Sequence, residues 1–462
     1  MAATELLVGL DIGTTMTKAA VVGPGGEEMS WGSVPTPWQA VPSGTETEPS
    51  DILGAAVRAI GDALGAAPPG RVVGLGVTSM AETVVLLGRG GLPVAPSVAW
   101  HDGRGEEEAA DLARVFGATA FSERTGLVAS PMCTLVKLAW LSRHDGPAFQ
   151  RALSVADWVV HRLGGEQVAE ASLASRTGAL SLAGRQWWAE GLKWAGAAED
   201  LFPPVVQAGE PAGRATLDFL AGMSGVGQHH LLALERLRGA ALTSAGHDHL
   251  CVAAGLGAIG PAQILDSCGT AEAFVRTVPA LDERAVGSAV QAGLNAGWNT
   301  VPGAYALVAG QLLGLMLERV LALLGVAGPD AWAAIDSVAQ ATPAGSLQVV
   351  QEGFGTPASI LGVGPTASPA ALWSAALDCL SDGAQRITGA MEAIAGPAEE
   401  LVLSGGWARC AGLRQRRRSL VAGMRWPAVT EAGARGAAMF AGCAAGLFAG
   451  PGDFPVPADR PL

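Results

Sequence analysis

Leu6–Val22 reads LLVGLDIGTTMTKAAVV: an apolar strand that ends in Asp11-Ile12-Gly13-Thr14-Thr15, and a second apolar strand after Lys18. A hairpin whose turn carries a carboxylate, a glycine and two hydroxyls sets Asp11 beside a metal ion. Its backbone N–H groups, Thr14 and Thr15 then face phosphate oxygens. Gly-Thr-Thr also suits an ordinary hairpin loop, so the reading depends on the rest of the chain. Pro24-Gly25-Gly26 turns into a third strand near Met29–Val34. Behind Ser50 as N-cap, Ile52, Leu53, Ala56, Val57, Ile60 and Leu64 recur at helical spacing. Val72–Thr78 reads as a buried strand, and a helix is expected from about Gly105 to Phe116. A strand meander followed by helices and more strands is a mixed α/β pattern.

At 462 residues the chain suits two large domains. We divide it into 1–243, 244–449 and a short tail, 450–462. Apolar residues make up 49%, charged residues 15%, and the mean hydropathy is +0.33. Even so, apolar stretches such as Leu312–Val326 are interrupted by Glu318 and Arg319, so no run reaches the roughly 18 residues of a membrane span. The net charge of −13 argues against nucleic acid or an anionic membrane as partner. The start passes almost directly into a strand, without a basic region and cleavage site, and a cytoplasmic location is expected. Six cysteines without a C-x-x-C pair are expected to be reduced and mostly buried. The basic run Arg414-Gln415-Arg416-Arg417-Arg418 reads as a solvated helix face.

A second phosphate candidate, Asp266-Ser267-Cys268-Gly269-Thr270, follows Ile264-Leu265 as Asp11-Ile12-Gly13-Thr14 follows Val8–Leu10. Two such hairpins, one from each half, suit a nucleotide triphosphate held across a cleft. Strands are expected near Ala273–Val278 and Leu401–Gly406, and a helix near Leu312–Leu324. Gly405-Gly406 ends its strand without side chains, admitting a flat ring or ribose close to the backbone. Glu431–Phe448 is a helix of small residues suited to close packing.

Between the hairpins lies Gly246-His247-Asp248-His249. A carboxylate beside an anionic phosphate site is costly unless a cation or a proton-donating hydroxyl uses it, which makes Asp248 the candidate general base. Neighbours on a strand point to opposite faces, so convergence of all three side chains on one metal is not expected. Gly255-Leu256-Gly257-Ala258-Ile259-Gly260 matches G-x-G-x-x-G but neither follows a βαβ opening strand nor precedes a helix, and we treat it as a decoy. Ser79-Met80-Ala81-Glu82-Thr83 and Trp100-His101-Asp102-Gly103-Arg104 end strands with carboxylate, aromatic and guanidinium groups. Such groups suit a polyhydroxylated ligand, with the ring on its C–H faces and carboxylates accepting its hydroxyl protons. A capped loop with an Asp–Arg pair is the alternative.

Taken in order, these segments resemble the FGGY carbohydrate kinase family, within the actin-like ATPase superfold, from Leu6 to about Phe448. Asp11–Thr15 is similar to its opening phosphate motif, and Trp100, Asp102 and Arg104 to its sugar-contacting W-x-D-x-R. Met132–Leu141 resembles its first signature, and Ala358–Val363 with Ala375–Asp378 its second, where Ala371 replaces a usual polar residue. Asp248 stands at the catalytic aspartate, Gly269-Thr270 at the second phosphate motif and Gly405-Gly406 at the adenosine motif; Trp407-Ala408-Arg409 departs from the small or polar residues usual there.

The resemblance implies two actin-like (ribonuclease H-like) α/β domains with mixed sheets flanked by helices and a cleft between them. It further implies ATP and Mg²⁺ as cofactors and a sugar or polyol as the other partner, with a homodimer as candidate assembly. Asp11 would hold the metal; Thr14, Thr15, Lys18, Gly269, Thr270, Gly405 and Gly406 the nucleotide; Met80, Glu82, Trp100, Asp102 and Arg104 the acceptor. Glycerol kinases carry arginine then glutamate at Ala81-Glu82, and xylulose kinases methionine then histidine at Met80-Ala81. Ala81 therefore supplies no cationic or imidazole donor, and the pocket is expected to favour a longer polyol or an open-chain ketose such as xylulose over glycerol. The alternatives are glycerol, a tetritol or a sugar acid as acceptor, or a non-catalytic sugar or nucleotide sensor.

Overall fold

The computed structural model describes residues 4–461 except 145, 224–225, 329–331, 352–355 and 366. The opening meander forms as the apolar runs require: Glu5–Ile12 pairs antiparallel with Met16–Val22, which pairs antiparallel with Glu28–Pro35. Arg71–Ser79 joins parallel to the first strand, and Ala241–His247 parallel to Arg71–Ser79. The residue-243 division thus falls inside a strand of the first sheet.

The second six-stranded sheet repeats this plan. Gln263–Cys268 and Glu272–Pro279 form its hairpin, Ala304–Gln311 adds antiparallel, and Glu400–Ser404 and Gly423–Arg425 add parallel on the other side. Counted along each half, the shared order is 3-2-1-4-5, with Asn295–Trp298 as an extra edge strand of the second sheet and Gly213–Arg214 of the first. Two mixed sheets flanked by helices are the expected architecture.

Three local readings change. The helix of the first half is Pro49–Ala66, with Glu48 at its N-cap; Pro49 takes the first helical position, where its fixed φ and missing N–H cost nothing, so Ser50 lies inside. The small-residue helix, Ala432–Ala444, packs against the first sheet. Gly9, Gly74 and Gly76 lie against the backbone of Ala434, Ala441 and Ala437, where any Cβ would collide. The basic run is not a solvated face: Arg417 is fully buried. Gly255 closes the helix Asp248–Gly255 rather than opening one, as a decoy fingerprint should. The described cysteines are all free, four of the six buried. No helix among the described residues is long and apolar enough to cross a membrane.

Candidate active site

Three parallel strands deliver the first group of residues. In register, Asp11 lies beside Thr78, and Thr78 beside Gly246, so Asp11, Met80 and Asp248 emerge together at the carboxyl ends of neighbouring strands. Ligands of open α/β sheets bind at such ends. The Gly13–Thr15 turn is held from outside: Thr36 Oγ1 donates to Gly13 O (2.7 Å), and Trp38 Nε1 to Thr14 O (2.7 Å). Trp100 Nε1 donates to Thr14 Oγ1 (2.8 Å), tying the Trp100 segment to the Gly13–Thr15 turn. Lys18, opposite Asp11 in the hairpin, is ion-paired with Glu431 at 2.8 Å.

Asp11 Oδ1 is buried and has no hydrogen-bond partner. Burial pushes its carboxyl up to about 8, with the nearby Asp248 charge adding to the shift and Lys18 opposing it. A buried oxygen with no donor, next to a second carboxylate, is a hard-oxygen site fitted to a small divalent cation.

Asp248 begins its helix directly after the strand, at a bend that Gly246 makes possible. Gly246 has φ +89°, and a Cβ there would lie 2.6 Å from Ser172 Oγ. Ser172 Oγ in turn accepts the His247 N–H (2.9 Å) and donates to Glu170. Because strand turns to helix at this point, the alternation expected of a strand fails. His247 Nε2 lies 3.2 Å and His249 Nε2 4.0 Å from Asp248 Oδ1, so the three side chains do converge. Burial pushes His247 well below its usual pKa, so the ring is neutral, and we assign its proton to Nε2, facing Asp248. Asp248 Oδ1 is thereby engaged, also by the His249 N–H (2.7 Å), while Oδ2 has no protein partner among the described residues.

The Met132–Leu141 stretch acts from behind. Thr134 Oγ1 donates to Glu82 O (2.9 Å) and Lys137 Nζ to Trp100 O (3.0 Å), so its helix holds both candidate acceptor segments. Burial lowers the Lys137 ammonium to about 8. Glu82 adopts φ +62°, an uncommon conformation for a non-glycine residue. Its Oε1 receives Arg176 Nε (2.7 Å) and Nη2 (2.6 Å). Asp102 accepts from Thr45 N–H (2.6 Å), Arg104 N–H (2.9 Å) and the Arg104 guanidinium, with no exposed side-chain surface. Arg104 also pairs with Glu46 at 2.6 Å and lies over Trp140.

In the second half, Gly269 and Thr270 form the hairpin turn, with the Leu315 N–H donating to Thr270 O (3.2 Å). Gly405 and Gly406 follow the strand that runs parallel beside it, Ser404 opposite Ser267. Below the turn, Arg417 bridges both hairpin legs, reaching Asp266 at 2.9 Å and Glu272 at 2.6 Å, with none of the three side chains exposed to more than a trace. Arg176, Ser172, Glu170 and Arg417 escaped the sequence reading. Glu170 and Ser172 pair locally at a helix N-cap, but what gives Ser172, Arg176 and Arg417 their roles lies 75 to 151 residues away, in His247, Glu82, Asp266 and Glu272.

Residues 6–229 match the N-terminal domain model of the FGGY family of carbohydrate kinases. A gluconokinase of Bacillus subtilis is 28% identical over 207 residues, 44% of this chain and 40% of that protein. A xylulose kinase of Streptomyces coelicolor is 34% identical over 226 residues, 45% of this chain and 44% of the relative. The matched region thus spans less than half the length of these curated relatives. Solved structures extend the likeness in fold to nearly the whole chain. The xylulose kinase from Rhodospirillum rubrum superposes with a TM-score of 0.85 at 23% identity, covering 99% of this chain and 93% of that one. The Plasmodium falciparum glycerol kinase does so with 0.82 at 16%, covering 97% and 91%. Residues 6–229 thus carry the N-terminal domain of the FGGY family of carbohydrate kinases, and the chain as a whole shares the fold of the solved sugar kinases.

Proposed function

We propose that the protein is an ATP-dependent carbohydrate kinase that transfers the γ-phosphoryl group to a hydroxyl of a sugar or polyol, with an open-chain ketose such as xylulose as the leading acceptor. The observation that carries this reading is Asp248. It has one oxygen fixed by His247 and His249 and the other free, at the strand end next to Asp11. Phosphoryl transfer needs little more from the protein than positioning, charge neutralisation and a base for the acceptor proton. Asp248 Oδ2 takes that proton, and the neutral His247 holds the carboxylate's orientation without placing a positive charge beside it.

Asp11 is the proposed Mg²⁺ residue, largely through water, since its orphaned oxygen suits a hard cation. When bound, that ion neutralises phosphate charge. Thr14, Thr15, Gly269 and Thr270 are assigned to the phosphates and Gly405-Gly406 to the adenosine. The Glu431 pairing supports a supporting role for Lys18 rather than a direct phosphate contact. On the acceptor side, Met80, Glu82 and Trp100 line the site. Asp102 and Arg104, saturated by one another, Thr45 and Glu46, act as positioning residues for the Trp100 turn. The proposed units are an acceptor-side half ending near residue 243, a nucleotide-side half to 449, and the tail.

Acceptor-dependent ADP release tests this reading. We expect release with at least one ketose or polyol among ketopentoses, ketohexoses, tetritols, glycerol and sugar acids; no release with any of them refutes it.

A further inference from the structure

Beside Glu82 lies a cavity of about 250 Å³ lined by Glu82, Ser130, Met132, Cys133, Arg176 and Asn295, among others. At about 30 Å³ per liquid water, it has room for several waters, more than a three-carbon triol fills. Arg176 directly follows the helix Ala171–Ser175, whose Ser172 receives the N–H of His247. It therefore stands about one helical turn from Ser172, which anchors His247, and its charge contributes to keeping His247 neutral. Thus the guanidinium that Ala81 cannot supply arrives from another element.

The pair is internally neutral. Two Arg176 nitrogens bind Glu82 Oε1. Glu82 Oε2 and Arg176 Nη1 have no protein partner among the described residues, so each residue of the pair, both of which line the cavity, keeps hydrogen-bonding capacity. Asn295 enters from the edge strand of the second sheet. The bonds Ala296 N–H to Gly126 O (2.9 Å) and Trp298 N–H to Ser175 Oγ (2.9 Å) hold that strand against the first half.

We propose that this cavity binds the end of the acceptor remote from the phosphorylated hydroxyl, that this end is an uncharged run of hydroxyls on a chain of five or six carbons, and that Arg176 and Asn295 are its specificity-determining residues. The inference rests on the carbohydrate kinase reading above and narrows its substrate class. A diol offers one O–H to Glu82 Oε2 and accepts from Arg176 Nη1 and the Asn295 amide. A carboxylate in the same place meets the Glu82 charge with the guanidinium already neutralised, so like-charge repulsion opposes a sugar acid.

The test compares an open-chain ketopentose or pentitol with the aldonate of equal length, by calorimetric binding without nucleotide and by ADP-release kinetics. We expect the uncharged acceptor to bind and react at least about tenfold better. Arg176→Met should weaken its binding about ten- to a hundredfold, the scale of a charged hydrogen bond, while the KM for ATP stays within about twofold. Arg176→Lys should recover part of the loss, which separates recognition from folding. Asn295→Ala should raise the KM for the five-carbon acceptor more than that for glycerol. Glu82→Gln frees the guanidinium and should shift the ratio toward the aldonate. A wild-type preference for the aldonate, or an unchanged ratio in Arg176→Met and Glu82→Gln, overturns the proposal. Absence of ADP release with every acceptor overturns the kinase reading instead, and calorimetric binding still decides what the cavity takes.

Discussion

Replacing Glu170 by glutamine should stabilise the protein at pH 8 and change little at pH 5. Glu170 is fully buried behind the candidate base. Its Oε2 accepts from Ser172 N–H (2.8 Å), Ser172 Oγ (2.5 Å) and Leu173 N–H (3.0 Å), while Oε1 has no partner. Burial pushes the carboxyl from 4.5 up to about 8 despite the opposing Ser172 bond. The folded chain therefore keeps a proton that the unfolded chain releases. The stability contribution is complete below pH 4.5, falls as pH rises through the window from 4.5 to about 8, and is lost above it. With each unit worth about 1.4 kcal/mol, retaining the proton at pH 7 against an ordinary value of 4.5 costs about 3 kcal/mol. Glutamine is neutral throughout, and its carbonyl can accept the same three bonds. Denaturant unfolding of variant and parent at pH 5 and pH 8 reads the difference, in which the other buried carboxyls cancel. We expect the variant to gain about 2–4 kcal/mol at pH 8 relative to its difference at pH 5. A difference that does not move with pH would mean that Glu170 is ionised in the fold and the reasoning is wrong.

Asp248→Asn should retain acceptor and ATP binding but lose about 10²–10⁴-fold in turnover, the scale of a general base; near-normal turnover in ADP-release assays refutes its role. Asp11→Asn removes a carboxyl that burial holds near 8, so it should raise the unfolding temperature more at pH 8 than at pH 5. It should also depress Mg·ATP-dependent turnover and spare acceptor binding by calorimetry. Arg417→Met should destabilise by about 3–5 kcal/mol, because Asp266 and Glu272 lose their buried partner. In the folded fraction, the KM for ATP should rise while acceptor affinity holds; the opposite split would disconnect this bridge from the Gly269-Thr270 turn.

Local chemistry made the two hairpins readable, because an apolar run that ends in a carboxylate, a glycine and hydroxyls leaves few other ways to turn the chain. The same holds for the Glu400–Ser404 strand before Gly405 and for the helix Ala432–Ala444. What failed was whatever depends on distant elements or on an abrupt change of backbone direction. The small residues of the last helix announce close packing, but not that the partner is the first sheet, more than 350 residues earlier in the chain. The period of a strand put Asp248 on the face opposite His247 and His249, but the strand ends at His247 and a helix begins at Asp248. Arg417 sits in a run whose other arginines are consistent with a surface helix, and only the acids 145 and 151 residues away explain its burial. Arg176 is similar: Glu82, 94 residues earlier, gives it its place.

The two halves share a strand order but differ in how they treat buried acid. In the second half, Arg417 bridges Asp266 and Glu272, and Gln311 also donates to Glu272, although burial still pushes the Glu272 carboxyl up. In the first half, Asp11 and Glu170 are each held near 8 by burial with no arginine beside them, and each has an oxygen without a partner. Burying acids costs stability, and such sites are retained where a ligand or a proton completes them. The difference fits the division of labour proposed above for two halves of shared strand order, in which the second hairpin cradles phosphate while the first hairpin and the Asp248 turn take the cation and the acceptor hydroxyl.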